Sequence, residues 1–572
     1  MGAPDPLLAR ALALGVQPAY EDTEGRARES PRATVEALVG ALGEVEAATG
    51  RPDGRDGGGG TGALPRCHLP ADLRAWGWSA QLYGARSRES WGIGDLGDLR
   101  TLARWAAGQG AGFVAANPLH AVLPTLPQQA SPYFPSSRRF RNPLYIRVED
   151  VPGFGALATD LAPVAAAGRA LNHAALIDRD AIHQLKMGAL ERLWNAWPAA
   201  PAADRAALSA FVAAAGPPLS AFATFNALAE REAGTWRSWP EALRRPATAS
   251  LSGEAAARAG FHAWLQWLLD RQLAAAGREL PLVQDLAVGV DPAGADAWEW
   301  QDVLIPGFHV GAPPDEFNLR GQSWGFPAFD PGRLAALGGA PLAAVFAAAM
   351  RHSGGLRVDH VMALFRLWLI PDGGGPADGV YLTYPAALLL DVLAEASRAA
   401  RAWVVGEDLG TVEPGVRRAL AARGVLSSRL LWFEAAPPEA YPAQAMAALT
   451  THDLPTVAGL WTGDDLRAQR AAGMVANESG AAALRDRLAG LTGLAPDADP
   501  AEAVARAYAV LAQAPSMLLA AGLEDATVER RRPNLPGTTD QWPNWRIPLA
   551  VPVEELDAAP AAAAIARALR RE

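Results

Sequence analysis

From Leu73 onward, short apolar runs alternate along the chain with longer stretches rich in Ala and Leu. The runs are "WSAQLYGA", "GFVAANPL", "LPLVQDLAVGV", "GGLRVDH", "AWVVGEDLG", "RLLWFEA" and "MAALTTHD". Strands that alternate with helices imply parallel pairing, and runs that are apolar almost throughout imply strands covered on both faces. The pattern therefore predicts an α/β fold, which leaves an open doubly wound sheet or a closed (β/α)8 TIM barrel. An open sheet usually receives its ligand at a glycine-rich first strand-to-helix turn, and no G-x-G-x-x-G or P-loop spacing stands there. In a barrel the C-terminal ends of all strands converge on one face. Charged residues at several strand ends would then share one pocket, so the barrel is favoured.

The pattern lapses in three places. Residues 1–50 read as a short helical N-terminal region, with Ser30-Pro31 opening one of its helices. Residues 51–65, "RPDGRDGGGGTGALP", have the glycine density of a flexible linker. Residues 66–572 carry the barrel, interrupted at about 155–258 by helical sequence such as "RDAIHQLKMGALERLWNAW", which reads as an insertion subdomain. A length of 572 residues suits one large barrel with insertions.

Composition narrows the partners. A net charge of −10 argues against nucleic acid or an anionic membrane surface, both of which need concentrated positive charge. A small or neutral substrate fits better, and no obligate protein partner is evident. The single cysteine, Cys67, allows no intramolecular disulfide and suits a reducing compartment. No basic stretch precedes a long apolar core at the N-terminus, and no segment holds about 18 uninterrupted apolar residues. A soluble cytoplasmic protein is expected. The 19 tryptophans outnumber the eight tyrosines and fifteen phenylalanines; core packing explains any one of them as readily as not, and some would offer flat faces to sugar rings.

Three of the apolar runs end on charge, at Arg357-x-Asp359-His360, Glu407-Asp408 and His452-Asp453. Paired carboxyls suit work on a glycosidic bond, where one attacks and the other passes a proton to the leaving oxygen. Arg357 stands two residues before Asp359, hence on the same face of the strand, where its guanidinium would hold Asp359 ionised and oriented. Glu407, beside Asp408, would keep its proton through like-charge repulsion and act as acid/base. Asp453 would be a third acid. Taken singly, each acid reads more simply as a helix cap or ion pair, and His360 and His452 as core histidines; their recurrence at successive strand ends weakens that reading. His360, Glu407, Asp408, His452 and Asp453 also offer metal-ligand types. No H-x-H or H-E-x-x-H spacing accompanies them, so neither metal nor other cofactor is expected.

Seven segments sharpen this picture. "SWGIGDLGDLR", "SPYFPSSRRFRNPLYI", "GAPPDEFNLRGQSWGFP", "LRVDHVMALFRLWLIP", "VVGEDLGTV", "TTHDLPT" and "NLPGTTDQWPNWR", in this order and across nearly the whole chain, resemble the amylomaltases, the 4-alpha-glucanotransferases of glycoside hydrolase family 77 in the alpha-amylase clan. The resemblance implies a TIM barrel that disproportionates α-1,4-glucans such as maltooligosaccharides or glycogen-derived chains. It implies Asp359 as nucleophile, Glu407 as acid/base and Asp453 as third acid, with Arg357, His360 and His452 beside them. It further implies glucan contacts from Tyr133 and from an active-site loop at about 311–327 through Asp315, Phe317, Gln322 and Trp324. Of Asp285 and Asp291, after the third strand, Asp285 is preferred for the cleft because it lies nearer the strand. The alternative activity is an alpha-amylase-like α-1,4-glucan hydrolase. The N-terminal leader resembles that of one branch of the family, but the short glycine linker replaces the β-rich region expected next.

Overall fold

In the computed structural model, residues 5–21, 25–49, 64–314, 320–410 and 412–571 are described. The glycine run of the expected linker, Asp315 and Phe317 lie outside them.

Eight parallel strands close into a barrel in chain order: Ala75–Ala80, Phe113–Ala116, Leu282–Leu286, Gly355–Val358, Trp403–Gly406, Leu426–Leu430, Ala445–Ala448 and Leu518–Gly522. These are barrel strands 1 to 8. Strands 3 and 5 are buried at every position, as expected where helices cover the outside and side chains fill the inside. Two details depart from the hydrophobic reading. Strand 6 is "LSSRL" and only its end overlaps the run "RLLWFEA", because Ser427, Ser428 and Arg429 break the apolar pattern while still pairing in register with strand 7. Strand 8, "LLAAG", is absent from the seven runs: short and without β-branched residues, it carries little strand signal of its own.

A second sheet stands beside the barrel mouth. Its five antiparallel strands run in the order Val16–Gln17, Val380–Thr383, Arg366–Pro371, Leu304–Ala312 and Gln322–Phe329. The last two form a hairpin inserted after barrel strand 3, and the middle two follow strand 4. The first belongs to the N-terminal region, which holds helices Pro6–Ala13 and Arg32–Thr49 and three short strands. The sheet thus ties the N-terminal segment at one edge to the hairpin at the other.

Between strands 2 and 3 run the helices Ala158–Ala170, Arg179–Ala196, Ala202–Arg231 and Gly253–Gly277. Ala202–Arg231 is long and apolar enough to cross a membrane by length and composition. Gly216 breaks it, with φ 57° and ψ −145°, and the helix packs along Gly253–Gly277. Much of the tryptophan excess belongs to the core: Trp76, Trp78, Trp264 and Trp461 are fully buried.

Candidate active site

Parallel register sets the first element of the site. Arg357 on strand 4 is the direct neighbour of Asp285 on strand 3, and its Nη1 bonds Asp285 Oδ1 at 2.7 Å and Oδ2 at 2.8 Å. The same nitrogen lies 2.9 Å from Oδ1 of Asp359, two residues further along its own strand direction. From Asp285 the contacts continue around the barrel. The Tyr133 hydroxyl donates to Asp285 Oδ2 at 2.7 Å and lies 3.2 Å from Nδ1 of His452, on whose ring it stacks at 4.7 Å. His452 Nε2 is 3.4 Å from Asp453 Oδ2, and the Asn534 amide donates to Asp453 Oδ1 at 2.7 Å. Strands 3, 4 and 7 and two distant loops are thereby joined by one polar chain.

Glu407 enters from strand 5. Its two carboxyl oxygens accept backbone N–H bonds from His360 at 2.8 Å and Leu409 at 3.0 Å. His360 makes its bond from a left-handed conformation, φ 44°, which costs a non-glycine residue roughly 1–3 kcal/mol. That strain immediately follows Asp359 and couples its turn to Glu407. Asp408 faces away: fully buried, it accepts from the Ser428 amide, the Ser427 hydroxyl and Arg417 Nε.

Burial governs protonation here. It raises the Glu407 carboxyl, against Arg357 and the two backbone N–H groups, while Asp408 contributes least; the expected repulsion by Asp408 is therefore a minor cause. Burial also pushes Asp359 up to about 7, with Asp285 and Glu407 adding to it and Arg357 pulling the other way. Arg357 does not hold Asp359 low, because burial outweighs its pull. Asp359 and Glu407 therefore titrate as an interacting pair. Burial would raise Asp453 too, but the charge and hydrogen bond of His452, with Asn534, hold it below the usual carboxylate range. His360, by contrast, is pushed down to about 4 by burial and then by Arg366, so its ring is neutral at neutral pH.

Asp285, Arg357, Glu407 and His452, with Gln81 and Glu524, line a cleft of about 1020 Å³ that is open to solvent, and Asp359 lines a second cavity under the hairpin. Asp285 faces the cleft. Asp291 instead closes its own turn, accepting from the Ala293 amide at 2.7 Å. Gln322 and Trp324 sit on the hairpin strand Gln322–Phe329, with the Trp324 indole N–H donating to Gln322 at 3.2 Å and its ring 5.2 Å from His360 in an edge-on contact. The sequence reading passed over Asn534, Gln81 and Glu524. Asn534 lies in a Pro/Gly-rich turn far along the chain from Asp453, where no spacing rule links them. Glu524-Asp525 did carry a signal, since it repeats the dipeptide of Glu407-Asp408 after an apolar run. Among the described residues no group of three or more His, Cys, Asp or Glu side chains is arranged to hold a metal ion.

Comparison with known proteins adds the last observation. A family model described as 4-alpha-glucanotransferase, glycoside hydrolase family 77, matches residues 80–553. The 4-alpha-glucanotransferase of Mycobacterium tuberculosis is 44% identical over 530 residues, covering 84% of this chain and 72% of that protein. That of Haemophilus influenzae is 34% identical over 534 residues, covering 84% and 76%. The crystal structure of amylomaltase from Corynebacterium glutamicum superposes with a TM-score of 0.86 at 32% identity, covering 99% of this chain and 100% of that one.

Proposed function

The chain belongs to the 4-alpha-glucanotransferase family, glycoside hydrolase family 77, and acts as an enzyme of that class; on that premise we propose a retaining transfer through a covalent glycosyl–aspartate. Asp359 attacks the anomeric carbon of an α-1,4-linked glucose unit while Glu407 gives its proton to the departing O4. Glu407 then takes the proton of the 4-hydroxyl of an acceptor glucan or glucose, whose oxygen displaces Asp359 and completes the new α-1,4 bond. Donor and acceptor are maltooligosaccharides or longer α-1,4-glucans.

The observation that carries this reading is the sharing of one guanidinium nitrogen by Asp285 and Asp359, with Asp285, Arg357 and Glu407 lining one cavity and Asp359 lining its neighbour. One positive charge orients two carboxylates, and a third carboxyl, raised by burial, keeps the proton the leaving group needs. His452 and Asp453 present charged, hydrogen-bonding groups to the ring hydroxyls, and Tyr133 offers its face from above His452. Gln322 and Trp324, with Asp315 and Phe317 in the adjoining segment, hold the glucan under the hairpin. A cover of this kind favours transfer, because the glycosyl-enzyme survives only if water is excluded until an acceptor sugar arrives.

Incubation with maltotriose tests the reaction. A ladder of longer maltooligosaccharides together with glucose is expected, whereas glucose and maltose alone would replace transfer by hydrolysis. The covalent step is read separately. A slowly turned-over fluoro-sugar donor should leave one glycosyl mass on the peptide containing Asp359, and a label on any other peptide removes Asp359 from that role.

A further inference from the structure

Two barrel strands are followed by the same dipeptide. Glu407-Asp408 follows strand 5, and Glu524-Asp525 follows strand 8 with one residue between. The aspartates behave alike. Asp408 is bonded to strand 6 and Arg417 as described above, and Asp525 accepts from the Tyr508 hydroxyl at 2.7 Å and the Val457 amide at 3.0 Å. The glutamates both line the central cavity. They differ in how they are held: Glu407 accepts backbone N–H bonds from two other residues, whereas among the described residues the one hydrogen bond to the Glu524 carboxyl comes from its own backbone N–H.

Strand register places a second polar group next to it. Strands 8 and 1 pair with Gly522 opposite Ser79, and Glu524 and Gln81 each stand two residues beyond that pair. Both line the cavity. Gln81 is 9% exposed and its Oε1 is buried without a partner. Removing a polar group from water without replacing its hydrogen bond is unfavourable, so the unpaired Gln81 oxygen, with the part-buried Glu524 lining the same cavity, marks a place where a ligand supplies the bonds. The opposite wall holds Asp285, Arg357 and Glu407.

We propose that Glu524 is a substrate-binding residue, bonded to a hydroxyl of the glucose unit that lies between Asp359 and His452, with Gln81 as the neighbouring polar contact. A carboxyl that keeps its proton both donates and accepts, as does a sugar hydroxyl, so the two match without a net charge. The surroundings keep that proton in place. Burial pushes Glu524 up to about 7, against its own backbone N–H, with Asp525 and Glu529 adding to the rise and a smaller pull from His452 opposing it. The other ionisable groups around it are the Tyr83 phenol, which feels both Glu524 and Asp453, and Arg179, whose guanidinium lies 5.1 Å over the Tyr83 ring. Above pH 7 Glu524 becomes an acceptor only and adds negative charge near Asp453.

This inference rests on the glucanotransferase reading, and one experiment separates the two. Maltotriose disproportionation is followed for the wild type, Glu524→Ala and Glu524→Gln from pH 5 to 9, with thermal melting as the folding control. Glu524→Ala should raise KM and lower kcat/KM at least about tenfold, the cost of leaving a site's polar partners unpaired. Glu524→Gln should recover most of that loss at pH 6, because an amide also donates and accepts, and should remove the rise of KM above pH 7 while leaving the alkaline fall in kcat that Glu407 sets. A wild type without transfer activity refutes the functional reading. An active wild type matched by Glu524→Ala in KM and pH profile refutes the role of Glu524. If Glu524→Ala does not fold, an alkaline rise of KM in Glu524→Gln identical to the wild type refutes it equally.

Discussion

The floor and the roof of the pocket are held together by different forces. On the floor, Arg357, Asp285, Tyr133, His452, Asp453 and Asn534 form a chain of neighbours within hydrogen-bonding or ion-pair distance, in which parallel register fixes Arg357 against Asp285 and loops bring Tyr133 and Asn534. The roof is the antiparallel sheet with its hairpin, anchored by apolar side chains such as Phe308, Val310 and Phe326, all at most 7% exposed. A separate cavity of about 790 Å³ lies beneath it, lined largely by apolar residues including Leu286, Phe326 and Phe346 and touching Asp359. Directional bonds suit a floor on which charges must meet at fixed distances, since a partner removed there leaves a buried charge uncompensated. Apolar packing has no such directionality and suits a cover whose task is to exclude water.

Substitutions can break this contrast in order of severity. Asp359→Ala should cut disproportionation by about 10⁴-fold or more while melting like the wild type, since it removes the group on which covalent chemistry depends. Retained turnover of even a few per cent would exclude Asp359 as nucleophile. Glu407→Gln should cost roughly 10²–10⁴-fold on maltotriose, and the loss should shrink on a glucosyl donor whose leaving group needs no proton. An equal loss on both donors would mean that Glu407 does not act through its proton.

Asn534→Ala is a smaller break in the floor. It should cost about tenfold in kcat/KM, the worth of one hydrogen bond to a charged group. The sign of its pH effect follows from Asp453, which His452 and Asn534 hold low against burial. Without Asn534 that carboxyl rises, while the acid limb of activity stays where Asp359 sets it, in the region around its value of about 7. An Asp453 titration that is the same in both proteins, followed by carboxyl-carbon NMR, would break the link between Asn534 and Asp453. Trp324→Ala, on the roof, should change donor consumption least, by about twofold to fivefold, yet raise the share of hydrolysis in the products, because water now reaches the glycosyl-enzyme. A variant with an unchanged ratio of reducing ends to transfer products would take the roof out of the partition.

Legibility differed in the same way between regions. Asp359, Glu407 and Asp453 could be read because each terminates an apolar run, and a strand end in a barrel has one destination. Strand 8 and Glu524 escaped attention because "LLAAG" lacks the β-branched residues that mark a strand. Asn534 and Tyr133 sit in loops, where no periodicity announces which strand end they will approach. The tryptophan count pointed to sugar platforms, but burial assigns Trp76, Trp78, Trp264 and Trp461 to the core and leaves Trp324 beside His360.

Local order along the chain was enough to establish an α/β barrel, its family and the acids that end its strands, because hydrophobic periodicity and motif spacing are properties of neighbours in sequence. Folding brought Asp285, preferred from its place in the sequence, onto Arg357, and it alone decided that Asn534 holds Asp453 and that Gln81 and Glu524 line one cavity. It also decided where protons reside: burial raises Asp359 as well as Glu407, although Arg357 beside Asp359 suggested a simple ion pair. The reason is that hydrogen bonds and charge interactions depend on separation in space and on access of water, neither of which spacing along the chain specifies.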